Sequence, residues 1–184
     1  GATTALFMGF LGLVNNDIKR VVAYSTLSQL GYMPVALGAS AYASGVFHLM
    51  THAFFKALLF LGSGAVILAC HHEQDIFKMG GLRKTLKLEY ACFMVGGAAL
   101  SALPLITAGF YSKDEILWKA ISNGATLVPG PLLWFLGFLA AGCTSFYMFR
   151  SYYMTFHYRE ATPEMKRHVH ESPASMTLVL WALA

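Results

Sequence analysis

The chain has 184 residues, 57% of them hydrophobic and 12% charged, with a mean hydropathy of +0.55. Soluble globular domains carry roughly 25% charged residues, so this composition excludes an ordinary water-soluble domain and points to one membrane domain across residues 1–184. The net charge of +4 lies largely in loops between apolar runs, the pattern of a cytoplasm-facing membrane surface and not of a nucleic-acid binder.

Cys70, Cys92 and Cys143 stand isolated in apolar sequence and give neither a disulfide framework nor an iron–sulfur site. The chain opens on Gly1-Ala-Thr-Thr-Ala-Leu-Phe-Met8 and closes on Leu180-Trp-Ala-Leu-Ala184, both apolar. Both ends read as cuts through helices, so an internal stretch of a longer subunit is expected.

At 1.5 Å rise, about 20 apolar residues cross the hydrocarbon of a bilayer. By that rule the chain divides into helices over about 1–14, 18–38, 43–70, a broken 88–121, 131–157 and a beginning at 174–184. Asp17, after Asn15 and Asn16, is suited to cap the second helix, and Pro34 is placed to bend its end.

The region 88–121 is too long for one straight crossing. Pro104 sits near its centre with Gly96, Gly97 and Gly109 around it, so a break is expected there. Loop charge decides between one crossing and two. With one crossing, Lys19 and Arg20, then Lys78, Arg83, Lys84 and Lys87, then Arg159, Lys166 and Arg167 all face one side. The opposite loops, 38–42 and 123–130, carry no Lys or Arg. The positive-inside pattern therefore predicts a single discontinuous helix.

The costly residues come next. His48, His52 and Lys56 are four apart and climb one helix face. Charge at the bilayer centre costs at least about 2.5–3.5 kcal/mol on insertion scales, so this stripe should face protein or water. Imidazole and lysine can both exchange protons at accessible pH when buried. The alternative is that the histidines only join helices and Lys56 pairs with an acid elsewhere.

Lys113 follows the expected break, with Asp114 and Glu115 as possible charge partners; the competing reading is a solvated, capped helix start at Ser112–Glu115. Ser25, Thr26, Ser28 and Gln29 read as interhelical hydrogen-bonding groups. His71, His72 and Glu73, with His168 and His170, lack zinc-site spacing, so no metal is expected. No residue set suggests catalysis of a covalent step.

Two segments resemble a known family. Asp17-Ile-Lys-Arg-Val-Val-Ala-Tyr-Ser-Thr-Leu-Ser-Gln-Leu-Gly-Tyr-Met33 and Phe47-His-Leu-Met-Thr-His-Ala-Phe-Phe-Lys-Ala-Leu-Leu-Phe60 are similar to proton-antiporter-type membrane subunits. That superfamily includes subunits of respiratory complex I, multisubunit cation/proton antiporters and membrane-bound hydrogenases. His72-Glu-Gln-Asp-Ile-Phe-Lys-Met-Gly-Gly-Leu-Arg-Lys84 and Ala108-Gly-Phe-Tyr-Ser-Lys-Asp-Glu-Ile-Leu117 resemble, more narrowly, the L-type subunits of NADH:quinone oxidoreductase, in wording closest to bacterial ones. The resemblance covers residues 1–158.

It implies an all-α, polytopic transmembrane helix bundle with one discontinuous helix broken near Pro104. It places His48, His52 and Lys56 on a hydrated proton path and Lys113 on the broken helix at its exit half. It implies no cofactor in this chain, with NADH, FMN, iron–sulfur clusters and quinone held by other subunits. The partners implied are the other membrane subunits of complex I, the lipid bilayer and protons, and the location is a bacterial inner membrane rather than a mitochondrial one. A cation/proton antiporter subunit and a purely structural membrane scaffold are the competing functions.

Overall fold

A computed structural model of the chain describes residues 1–122, 128–158, 169 and 172–184. Among them are α1 (Ala2–Val14), α2 (Ile18–Gly38), α3 (Tyr42–Ala69), α4 (Lys87–Leu100), α5 (Ala108–Ser122), α6 (Gly130–Phe156) and α7 (Ala174–Leu183), with no extended strand. Asp17 caps α2: its carboxylate accepts from the Arg20 amide at 3.0 Å, satisfying one of the orphan donors of the first turn. α2 continues through Pro34 to Gly38.

α3 and α6, of 28 and 27 residues, are long and apolar enough to cross a membrane. Phe7, Phe10, Leu27, Phe54, Phe135, Phe138 and Phe146 point outward and stay exposed. An apolar exterior around a polar-seamed interior suits lipid as the surrounding solvent.

α1 packs most closely on α2, and Gly31 is the reason. A Cβ there would lie 2.5 Å from the Ala5 amide nitrogen, so only glycine lets the two backbones approach this far. Ser28 Oγ donates to Ala5 O across the same contact at 2.7 Å.

The region 88–121 does break. α4 stops at Leu100 and α5 starts at Ala108, and the connection puts Ala102 and Leu105 in the left-handed backbone region, at φ 59° and 70°. Two such residues are costly for L side chains, and Pro104 between them cannot continue a helix. The halves stay close: a Cβ on Gly109 would sit 1.8 Å from Ala99 O.

Contacts along α3 give the direction of both halves. Phe93 lies at Gly62 and Gly96 at Leu59; further on, Ser112 bonds His48 and Glu115 bonds Ser44. Rising numbers through α4 and α5 meet steadily falling numbers on α3. The two halves therefore run one after the other along α3, which is one crossing made of two pieces.

The α1–α2 turn, the segment after α3 and the last turns of α6 meet at one end. Ile18 N donates to Gln74 O at 3.0 Å and Ile76 N to Asn16 O at 2.9 Å. The Arg150 guanidinium donates to Leu13 O at 2.5 Å, Asn15 O at 3.2 Å and Asn16 Oδ1 at 2.5 Å. Lys19, Arg20, Lys78, Arg83, Lys84 and Lys87 gather at this end; Arg159, Lys166 and Arg167, with loop residues 123–127, lie outside the described residues.

The connection from α3 to α4 is more than the polar loop its sequence suggests. Ile76, Met79, Leu82 and Leu86 are at most 2% exposed and join the core at the helix ends. Glu73 folds the segment, accepting from the amides of Gln74 and Asp75 at 3.0 and 3.1 Å and pairing with Lys78 at 3.2 Å. The Asp75 amide above all, with Lys78 and the Gln74 amide, holds the Glu73 carboxyl below the usual carboxylate range. Among the described residues no His, Cys, Asp or Glu cluster could hold a metal; His168 and His170 are outside them.

Candidate proton-path site

Spacing of four residues aligns His48, His52 and Lys56 on α3, and all three are buried, facing inward rather than to lipid. Lys56 Nζ donates to Ser25 Oγ at 2.6 Å and to Val22 O at 3.0 Å, both on α2. The Phe60 ring lies 6.0 Å from Nζ, the outer limit of a cation–π contact. The His48 and His52 rings are 6.0 Å apart, and Phe55 meets His52 edge-on at 5.5 Å.

At the other end of the stripe, His48 Nδ1 lies 2.9 Å from Ser112 Oγ on α5. Ser112 Oγ reaches Gly109 O at 3.3 Å. With the hydroxyl hydrogen directed to Gly109, Nδ1 donates and Nε2 keeps its lone pair. Thr51 Oγ1 lies 3.4 Å from the same Ser112 oxygen and 3.2 Å from His48 O.

Lys113 is 2% exposed, because α5 begins five residues before it and Ser112–Glu115 lie inside the helix rather than at a solvated start. Its ammonium donates to Leu100 O at the end of α4. The last carbonyls of a helix lack intrahelical partners and carry the negative end of its dipole, so the break itself supplies the acceptor. The Tyr32 ring lies beneath Nζ at 5.7 Å and 6.1 Å from His48. The Tyr32 hydroxyl is tied to Gly137 O at 2.6 Å.

Asp114 and Glu115 do not serve Lys113. Ion pairs among the described residues are Arg20–Asp17 and Lys78–Glu73, both at the basic end. Both carboxylates on α5 are exposed, and Glu115 accepts instead from Ser44 Oγ at 2.8 Å. Neighbours at i+1 and i+2 on a helix diverge from residue i, which is why adjacency in sequence did not give contact.

The structure thus assembles His48 with Ser112, Lys56 with Ser25, and Lys113 with Leu100 O and Tyr32. Of these partners, Ser25 was readable only as a generic bonding group. Ser112 and Tyr32 carried a weaker signal, their place in polar or aromatic runs of α5 and α2. Among the described residues neither lysine is held by a carboxylate. Buried imidazole and amine nitrogens bonded to hydroxyl and carbonyl oxygens are groups whose chemistry allows protons to be gained and lost.

A family described as NADH:quinone oxidoreductase/Mrp antiporter, transmembrane, matches residues 1–150. NADH-quinone oxidoreductase subunit L of Escherichia coli is 58% identical over 182 residues, covering 98% of this chain and 29% of that protein. The subunit of that name in Pseudomonas aeruginosa is 57% identical over the same shares of both chains. NAD(P)H-quinone oxidoreductase chain 5 of Synechocystis sp. is 51% identical over 84% of this chain and 24% of its own. The chain therefore spans less than a third of the curated relatives it matches.

Among solved structures, the membrane-bound sulfane sulfur reductase, an archaeal respiratory membrane complex, contains a chain that superposes with a TM-score of 0.84 at 25% identity. The match covers 99% of this chain and 29% of that one.

Proposed function

The chain belongs to the NADH:quinone oxidoreductase/Mrp antiporter transmembrane family, and from that premise we propose that it is part of a proton-translocating L-type subunit of NADH:quinone oxidoreductase. The observation that carries this reading is the buried sequence of Lys56, His52, His48 and Lys113, in which Lys56, His48 and Lys113 bond hydroxyls or backbone carbonyls and, among the described residues, no carboxylate. A proton moves along water and the α3 stripe toward the break between α4 and α5. Charge at one lysine biases the next by Coulomb coupling in a medium less polar than water.

The wider activity follows the same reading. NADH, FMN, iron–sulfur clusters and quinone belong to other subunits, and this chain converts their redox energy into proton movement. Its partners are the other membrane subunits, lipid and protons, and its location is a bacterial inner membrane, which the bacterial relatives support. Their names favour the oxidoreductase over the cation/proton antiporter.

The test uses the full-length subunit in its assembled complex, reconstituted in vesicles. Lys113→Ala is expected to lower protons moved per electron. Unchanged pumping per electron would sink the reading.

A further inference from the structure

The polar stripe is interrupted at its centre. Lys56 is bonded at one end and His48 at the other, while His52 Nε2, His48 Nε2 and Gln29 Oε1 are buried with no hydrogen-bond partner among the described residues. Gln29 and His52 fall at one level, and His48 lies one turn further along α3. α2 runs antiparallel to α3, with Val22 and Ser25 against Lys56 and Tyr32 beside His48. Gln29 is four residues from Ser25 and three from Tyr32, so the register sets it opposite His52, one turn from each flanking contact.

The orientation of the Gln29 amide follows from α6. Thr144 Oγ1 donates its single hydrogen to Ala140 O at 2.8 Å, so its oxygen can only accept. Tyr147 OH donates to it at 3.3 Å and Gln29 Nε2 at 3.4 Å. The amide therefore turns its NH2 to α6 and keeps its carbonyl oxygen for another donor. Gln29 is itself fully buried, and a buried amide oxygen without a donor is costly.

We infer that Gln29 is a positioning residue of the proton path, oriented by Thr144 and Tyr147, whose carbonyl oxygen holds a water molecule together with His52 Nε2. The inference rests on the proton-translocating reading proposed above. A buried water needs two to four polar partners, and Gln29 Oε1 with His52 Nε2 supplies two. A proton arriving from Lys56 makes the water hydronium, one O–H bond then passes its proton to His52 Nε2, and neutral water remains on Gln29 Oε1. At Lys56 one Nζ–H bond breaks and the ammonium becomes an amine, and no other bond changes.

The experiment compares variants of the full-length subunit in the assembled, reconstituted complex, and measures the share of proton movement that Lys113→Ala removes. Gln29→Met keeps side-chain length but has no oxygen, and is expected to lower that share about two- to tenfold, the factor one hydrogen bond supplies. Gln29→Glu restores an oxygen at the same reach and recovers most of it. Thr144→Val frees the amide to turn and gives an intermediate loss; it serves also if Gln29→Met fails to assemble.

Full proton movement in Gln29→Met, or in Thr144→Val where only that variant assembles, overturns the inference while the wider reading stands. Equal loss in Gln29→Met and Gln29→Glu also overturns it, since only the shape of the residue would then matter. If Lys113→Ala removes no proton movement, the wider reading fails and takes this one with it.

Discussion

Lys56 and Lys113 are both buried and neither has a carboxylate partner among the described residues, yet the fold holds them in different ways. Lys56 sits in the middle of an unbroken helix and finds its acceptors on α2, a side-chain hydroxyl and a carbonyl. Lys113 sits past a break and finds its acceptor in the carbonyl that the break exposes, with an aromatic face below. The first setting depends on particular side chains. The second depends on backbone geometry, and tolerates side-chain change only while α4 and α5 keep their spacing.

The largest effect should come from that spacing. A Cβ at Gly109 would lie 1.8 Å from Ala99 O, a backbone atom that cannot swing aside. Gly109→Ala is therefore expected to cost about 4 kcal/mol or more, in the range of severe core disruptions. Thermal-shift melts of the assembled complex should show the loss, and proton movement through Lys113 should disappear. Gly142→Ala, where nothing lies within 4 Å, is the control and should stay within about 0.5 kcal/mol. If Gly109→Ala assembles and pumps normally, Lys113 does not depend on the break and the contrast with Lys56 collapses.

How much of this contrast was legible in the sequence differs between the two lysines. The spacing of His48, His52 and Lys56 fixes a shared helical face whatever the neighbours are. Loop charge and Pro104 were enough to expect one broken crossing, because proline and lipid both act through general rules. The acceptor for Lys113 was not legible, since Leu100 contributes only its backbone, and any residue there would leave the same carbonyl at the helix end.

Asp114 and Glu115 misled for a related reason: charge adjacent in sequence diverges on a helix. The buried Ile76, Met79, Leu82 and Leu86 were hidden by the Lys, Arg, Gly and Thr residues between them, which give the segment a polar average although these four turn to the core while Phe77 stays exposed.

A medium effect should come from Ser25. Replacing it with alanine removes a 2.6 Å acceptor from the Lys56 ammonium, and hydrogen bonds to charged groups contribute about 1.5–3 kcal/mol. Ser25→Ala should lower stability by about that amount, and in a Lys56→Met background the loss should shrink toward zero. That double-mutant comparison isolates the pair from general packing. Equal losses in both backgrounds would mean that the hydroxyl matters to α2 packing and not to the lysine.

The smallest effect should come from the aromatic face under Lys113. Tyr32 offers two separable contributions, a ring 5.7 Å from Nζ and a hydroxyl bonded to Gly137 O. Tyr32→Phe keeps the ring and loses the hydroxyl bond, whereas Tyr32→Leu loses both. The difference between the variants measures the ring, expected at about 0.5–2 kcal/mol for a desolvated cation–π contact, together with the lost ring packing. Repeating the pair in a Lys113→Met background removes the cation and leaves the packing. If the difference persists undiminished there, Tyr32 is only a wedge between α2 and α6. Lys113 would then be held by the α4 carbonyl alone, and the two lysine settings would differ even more sharply, one sharing its bonds between a side-chain hydroxyl and a carbonyl and the other resting on backbone alone.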